Sequence, residues 1–218
     1  MDAPWVAALA SAALLAIPLF AWVPIGEDLL RWLTSGRHSA GVARRARTQG
    51  WRWSSSARVD LRPGPPFEFG GDDWCTDVVR GQVRGQSFAA FTYGREFQVY
   101  VVPLRAQLPH LQVKVRGLTD RAPLHIGAVE VESEAFNQRF IVEAHDPLFA
   151  SRVLTPRIVQ RLLDERPLSW RVGGSELIGW RAGELQGRAI TPSVELLLAV
   201  RDAVPDYVWS EYGTPDHE

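Results

Sequence analysis

The chain has 218 residues, a formal net charge of −1 at pH 7 and a single cysteine. A charge this close to zero gives no basic field suited to nucleic acid, so we expect no nucleic-acid partner. A lone cysteine excludes a small secreted fold held together by disulfides, because such folds need several cysteines. The length beyond the N-terminal segment suffices for one domain with a proper core.

The N-terminal segment, residues 3–25, contains no charged side chain. A helix rises about 1.5 Å per residue, so this segment would span roughly 35 Å, and the hydrocarbon core of a bilayer is ~30 Å thick. Trp5 and Trp22 lie near its ends, where aromatic rings favour the membrane interface. The pattern predicts a transmembrane helix over 3–25.

A cleaved signal peptide is the main alternative for this segment, and a buried helix is a second. A signal peptide needs a positively charged N-terminal region and a small-residue cleavage site. Asp2 is the only charged side chain before the segment, and no clear A-x-A cleavage site lies directly ahead of the polar region. These features favour a retained anchor.

The arginines that follow the apolar segment predict its orientation. They belong to a basic segment over residues 26–49 and are Arg31, Arg37, Arg44, Arg45 and Arg47. Positively charged flanks stay in the cytoplasm, and no Lys or Arg precedes the apolar segment. We predict a single-pass protein of the cell membrane with its N-terminus outside and its C-terminal domain cytoplasmic. Trp5, Trp22 and the five arginines are then interface residues, with the lipid bilayer as their partner.

Small residues at four-residue spacing mark one side of the predicted transmembrane helix. They are Ala8, Ala12 and Ala16. Such a stripe lets two membrane helices approach closely. It indicates a homodimer through this face, although alanine is also simply common in such helices.

The rest of the chain, residues 50–218, is predicted to form one soluble domain. Ahead of it, residues 42–49 favour a short basic helix that ends at Gly50. Alternating apolar and polar side chains then predict strands joined by short turns, which indicates antiparallel pairing. Strands are predicted at 51–56, 76–83, 88–93, 97–104, 111–115, 129–131, 140–144, 168–172 and 176–180.

Three helix starts are predicted from an N-cap residue followed by proline. They are Asp146-Pro147, Thr155-Pro156 and Thr191-Pro192. Proline fits the first helical position, because its missing N–H would have no partner there. The fold class predicted is α+β, with an N-terminal transmembrane helix followed by one domain that has an antiparallel sheet and two to three helices.

No pattern of residues indicates a catalytic or metal site. The histidines lie too far apart along the chain for a zinc site, and Asp72-Asp73 does not begin a calcium loop. They are His38, His110, His125, His145 and His217. Phosphate-binding and dinucleotide-binding loops are missing as well, so we expect no cofactor. We expect most of the tryptophans beyond the anchor to lie in the core. A position on the membrane surface is the alternative for Trp51 and Trp53.

Two stretches resemble a family of bacterial single-pass membrane-anchored proteins of unknown function. Residues 78–93, VVRGQVRGQSFAAFTY, match its hairpin pattern V-x-G-x-x-R-G-x-x-F-x-x-F-x-Y. Residues 136–163, FNQRFIVEAHDPLFASRVLTPRIVQRLL, match its L-T-P helix, and Gly50-Trp51 matches its Gly-Trp start. The resemblance implies an anchor with a cytoplasmic domain. It implies no activity and no functional residue.

The leading functional hypothesis is a non-enzymatic binding module with a membrane or cytoplasmic protein partner. One alternative is a membrane-tethered enzyme, similar to a hydrolase, that uses dispersed residues such as Cys75, His145 and nearby carboxylates. The other is a domain that binds an apolar ligand or lipid on the sheet and its aromatic strand, residues 88–93. An enzyme is the less expected outcome, because no catalytic motif is found.

Overall fold

The computed structural model describes residues 38–60, 64, 67, 74–117 and 127–214. The chain divides into two compact units, residues 1–40 and 41–218. Residues 38–40 are the described part of the first unit, and they are helical. The sheet, the remaining helices and the core belong to the second unit.

A nine-stranded sheet forms the centre of the second unit. Its order is β1-β2-β3-β4-β9-β8-β5-β7-β6, and its neighbouring strands pair antiparallel. The strands are β1 (Arg52–Arg58), β2 (Trp74–Val83), β3 (Gln86–Tyr93), β4 (Phe97–Pro103), β5 (Leu111–Val115), β6 (Ala128–Val129), β7 (Phe140–Ala144), β8 (Ser169–Gly173) and β9 (Glu176–Ala182). The strands predicted from alternation are therefore present. Their order is not that of a simple meander, because β9 and β8 insert between β4 and β5.

Six helices accompany the sheet within the described chain. They are α1 (residues 38–48), α2 (Glu134–Arg139), α3 (Pro147–Val153), α4 (Pro156–Asp164), α5 (Gly187–Ala203) and α6 (Asp206–Tyr212). The short helix predicted before Gly50 is α1. It ends where expected, because Gly50 takes a positive φ of 69° that glycine accepts readily.

The predicted architecture is wrong in its helices. The described part of residues 50–218 contains five helices in place of two to three, and none of the helices in the described ranges combines the length and the apolar character of a membrane span. The longest, α5, has 17 residues and carries Arg188, Glu195 and Arg201, so part of its surface faces water. This finding contradicts the single-pass topology and the cell-membrane localisation predicted above.

Several residues behind that topology lie outside the described part of the chain. They are the predicted transmembrane segment 3–25 with Trp5, Trp22 and the alanines Ala8, Ala12 and Ala16, together with Arg31 and Arg37. The other three predicted interface residues, Arg44, Arg45 and Arg47, lie on α1. Arg44 and Arg47 are exposed, and Arg45 is half-buried.

Two of the three predicted helix starts are confirmed. Asp146 caps α3, where its carboxylate accepts hydrogen bonds from the N–H groups of Leu148 and Phe149 at 2.8 and 3.3 Å. Thr155 precedes α4 as predicted. The third is wrong, because α5 begins at Gly187 and Pro192 lies inside it. Pro192 is exposed, and its missing N–H removes one backbone hydrogen bond from this helix.

The helices pack on one face of the sheet, here called the helix face. α5 contacts β2, β4 and β9, while α2 and α3 contact β7. Alternate strand residues point into this layer and are fully buried, as shown by Tyr100, Val102 and Val113. Burying one such apolar side chain stabilises the fold by about 1.5–3 kcal/mol, so this layer is the main core.

Trp51 fixes the end of α1 and the start of β1 to the helix face. Its indole N–H donates to the backbone oxygen of Gln82 at 3.1 Å, and its ring meets Phe88 edge-on at 5.0 Å. Gly81 leaves room for the ring, because a Cβ at that position would overlap it. Trp51 is a core residue, as favoured for most tryptophans, whereas Trp53 is 37% exposed.

The other side of the sheet, here called the opposite face, carries a second and smaller apolar cluster. Phe91, Val99 and Trp180 belong to it, and Phe67 from the β1–β2 connection packs on them. Phe67 is fully buried, and its ring lies 4.8 Å from that of Tyr93. Phe67 is therefore held against the centre of the sheet.

Candidate functional site

A groove of about 610 Å³ runs between the segment that joins β6 to α2 and the helices α3 and α4. Ligand pockets typically measure ~300–1,000 Å³, so the groove is large enough for a small amphiphile. Its lining is Val129, Glu130, Val131, Glu132, Ser133, Ala150, Ser151, Leu154, Pro156, Val159 and Gln160. Most of its inner surface is therefore aliphatic.

The floor of the groove is built by the junction between α3 and α4. Ala150, Leu154 and Val159 are buried there, and Val129 and Val131 are half-buried on the facing segment. The cap at Asp146 and the proline at position 156 fix where the two helices begin and hence where these side chains lie. The floor is a rigid apolar surface that part of the core supports from below.

The rim of the groove is acidic and rich in hydrogen-bonding groups. Glu130 and Glu132 are exposed on one side. Ser151 and Gln160 are exposed on the other, where the Ser151 hydroxyl donates to the backbone oxygen of Leu148 at 2.8 Å. Carboxylates and amides accept hydrogen bonds from hydroxyl groups. This rim suits a neutral polar group and disfavours an anion.

A second, smaller groove of about 420 Å³ lies between α4 and α5. Ile158 and Val200 are its buried members. Its mouth mixes both charge signs, with Arg157 and Arg161 beside Asp164 and Asp202. Gln160 lines this groove as well as the first, so the two flank the exposed side of α4.

A polar cluster occupies the opposite face of the sheet on β5, β7 and β8. The rings of His110 and His145 lie 5.0 Å apart at its end. Glu143 accepts from the Gln112 amide at 3.3 Å and pairs with Lys114 at 3.0 Å. Sequence spacing gave no sign of this cluster, because each pair meets only through the register of β5 with β7.

Arg171 is the most buried charged side chain next to this cluster. It is 3% exposed and is paired in register with Gln112. Its guanidinium donates to the backbone oxygen of Gly64 at 3.4 Å and lies over the Phe67 ring at 6.0 Å. Burial lowers the pKa of Arg171, an effect that Glu176 opposes. Its contacts hold Gly64 and Phe67 in place.

The electrostatics of His110 predict a loss of stability in acid. Burial lowers the pKa of His110, and the neighbouring His145 and Arg171 lower it further, while Glu143 acts in the other direction. The folded chain then binds a proton less readily than the unfolded chain. Stability from this residue is present above the unfolded pKa of about 6.5 and is lost as the pH falls below it.

The measurement is thermal unfolding at pH 7.5 and at pH 5.5, for the native chain and for His110→Gln. We expect the native midpoint to fall more on acidification than that of the variant, since glutamine has no proton to gain. Equal shifts in both proteins would contradict this role of His110.

The hydrolase alternative required Cys75 close to His145, and the fold keeps them apart. Cys75 is fully buried on β2, and His145 follows β7. Six strand spacings separate these strands in the sheet, which is on the order of 30 Å at about 4.8 Å per spacing. This pair therefore cannot act as a nucleophile and its base.

The other candidate residues are also dispersed. No group of three or more His, Cys, Asp or Glu side chains that could hold a metal is found among the residues whose structure is described. His125, His217, Asp72 and Asp73 lie outside those residues. In the aromatic strand β3, Phe88 faces the helices and Phe91 the opposite face, and both are buried. That strand is part of the core.

No family model and no curated protein matches the chain. The fold resembles the crystal structure of the mycobacterial trehalose monomycolate transport factor A, TtfA, with a TM-score of 0.58. The likeness covers 82% of this chain and 98% of that one, at 14% sequence identity. A likeness at this identity shows a shared fold, and it extends over nearly the whole of the TtfA chain.

Proposed function

We propose that this protein is a non-catalytic module that binds a lipid and takes part in lipid transport. The groove beside α3 and α4 is its binding site, and the preferred ligand is a neutral lipid with a hydroxyl-bearing head group. The observation that carries the proposal is the aliphatic floor of a groove of about 610 Å³ beneath an acidic rim. The fold shared with a trehalose monomycolate transport factor also supports a role in lipid transport.

The floor provides the binding energy for an acyl chain. Val131, Leu154 and Val159 line the groove together with Ala150. Each methylene group removed from water contributes about 0.8 kcal/mol. A chain of moderate length is therefore sufficient for measurable affinity after the costs of ordering it.

The rim provides the selectivity for the head group. Glu130 and Glu132 would repel a phosphate or sulfate head group. The same carboxylates can accept hydrogen bonds from sugar hydroxyls. Such bonds are stronger than bonds between neutral groups, because the acceptor is charged. The proposal therefore predicts that a sugar head group binds better than an anionic one on the same alkyl chain.

The test compares dodecyl maltoside with dodecyl sulfate, both below their critical micelle concentrations, by titration calorimetry. Ser151→Trp fills the groove from an exposed helix position and is expected to weaken maltoside binding at least tenfold. Ser210→Trp is the matched control. Ser210 is also an exposed helical serine whose hydroxyl donates to a backbone oxygen, and it does not line the groove.

Saturable maltoside binding that Ser151→Trp removes and Ser210→Trp preserves is the expected result. Replacing Glu130 and Glu132 by glutamine should then narrow the preference for maltoside over sulfate. Unchanged maltoside binding by Ser151→Trp would exclude this groove as the site. Tighter binding of the sulfate by the native chain would exclude the selectivity assigned to the rim.

A further inference from the structure

A basic cleft of about 410 Å³ lies between α1 and the first turn of α5. Its lining is Gly41, Arg44, Arg45, Thr48 and Arg188. Three guanidinium groups thus share one concave surface with a hydroxyl group, and no carboxylate lines it. This chemistry is the reverse of the acidic groove, so the cleft would take a ligand of a different class.

Close contact between the two helices creates the cleft. Gly187 opens α5, and a Cβ there would lie 2.9 Å from the Arg45 Cβ and 3.2 Å from the Gly41 backbone oxygen. Val42 and Ala46, both buried in the main core, hold α1 in this position. The arginines are therefore brought together by packing and are not merely neighbours on a solvated helix.

The positive charge of the cleft is not compensated by the side chains described around it. Other arginines of the domain pair with carboxylates, as Arg84 does with Glu195 at 3.0 Å. Within the described ranges, no ion pair is formed by Arg44, Arg45 or Arg188. The Arg45 Nε is buried and has no hydrogen-bond partner there. A buried donor left in this state is costly unless a ligand satisfies it.

We propose that this cleft binds a phosphate group. Guanidinium groups match the oxygens of phosphate with two parallel hydrogen bonds, which makes arginine the preferred residue for this ligand. The first turn of α5, whose N-cap Gln186 makes no side-chain cap hydrogen bond, adds a favourable field for an anion. The phosphate group belongs either to a lipid head group or to a small soluble phosphate.

The test uses a double variant, Arg44→Gln with Arg188→Gln, and a control that removes charge outside the cleft. Both replaced side chains are exposed, so the fold should persist, and far-UV circular dichroism checks this. The control is Arg47→Gln, because Arg47 is an exposed arginine of α1 that does not line the cleft. Two probes are used: inorganic phosphate, and phosphatidylcholine vesicles with and without phosphatidic acid.

We expect the double variant to lose at least tenfold in affinity for one or both probes, and Arg47→Gln to lose less than threefold. Binding of inorganic phosphate alone identifies a soluble ligand, and binding of the phosphatidic acid vesicles alone identifies a lipid head group. The proposal is overturned if the native chain binds neither probe, or if Arg47→Gln loses as much as the double variant. Ser151→Trp, which closes the other groove, should leave phosphate binding unchanged, so the two proposals can fail separately.

Discussion

Replacing Trp51 by alanine is expected to lower the free energy of unfolding by about 3–5 kcal/mol. A typical domain has only ~5–15 kcal/mol in total, so this one change should remove a large share of the stability. Trp51 is 8% exposed, packs edge-on against Phe88 and donates its indole N–H to Gln82. Its loss leaves a cavity over Gly81, which has no side chain to fill the space.

The measurement is urea unfolding followed by far-UV circular dichroism. Trp53→Ala is the control, because Trp53 lies two residues away, is 37% exposed and makes a hydrogen bond to Asp77 at 3.3 Å. We expect that variant to lose about 1 kcal/mol or less, as is usual for a partly exposed side chain with one hydrogen bond. Similar losses in the two variants would contradict the placement of Trp51 in the core.

Replacing Phe67 by alanine is expected to cost a similar amount, about 3–5 kcal/mol. Phe67 is fully buried on the opposite face, where its ring lies 6.5 Å from that of Phe91 and 4.8 Å from that of Tyr93. Arg171 also loses the ring beneath its guanidinium. Removing the ring weakens the contacts of a buried cation, and this loss adds to the energetic cost of the cavity.

Phe97→Ala is the control for this prediction, because Phe97 belongs to the same cluster and is only half-buried. We expect it to lose clearly less than Phe67→Ala in the same urea experiment. Limited proteolysis adds a local readout, since cleavage beside residue 67 should become faster in Phe67→Ala alone. A free energy of unfolding within about 1 kcal/mol of the native value would contradict the placement of Phe67 in the smaller apolar cluster.

The strands could be predicted because their signals are local. In β5, Leu111 and Val113 alternate with Gln112 and Lys114, and the apolar pair enters the main core while the polar pair contacts Glu143 on the opposite face. The place of β9 beside β4 could not be predicted in this way. That pairing joins Val101 to Ile178, residues far apart in the chain that no local pattern relates.

The helices were harder to predict because two of them are short and one departs from its strongest signal. The six-residue α2 is capped by Ser133, a signal too common to identify a helix alone. α6 has seven residues and no side-chain cap hydrogen bond. In α5 the pair Thr191-Pro192 suggested a start, but packing of the first turn against α1 moves the start back to Gly187.

The residues of the candidate sites also divide into those with a local sequence signal and those without one. Arg44 and Arg45 stood out as part of a charged run, yet Arg188, which completes their cleft, is a single arginine elsewhere in the chain. The acidic groove joins residues around Val131 to residues around Leu154, and no motif links them. Sites of this kind depend on tertiary packing, so the sequence indicated some of their residues and not how those residues are arranged.

The central claim is that the groove beside α3 and α4 holds the acyl chain of a neutral lipid. Photolabelling tests it most directly, with an alkyl glycoside that carries a diazirine on its chain, followed by mass spectrometry of the labelled peptides. We predict labels within residues 127–133 and 147–160, lost when dodecyl maltoside competes and reduced in Ser151→Trp. Labels spread over the surface, or concentrated elsewhere in the domain and unaffected by the competitor, would contradict the claim.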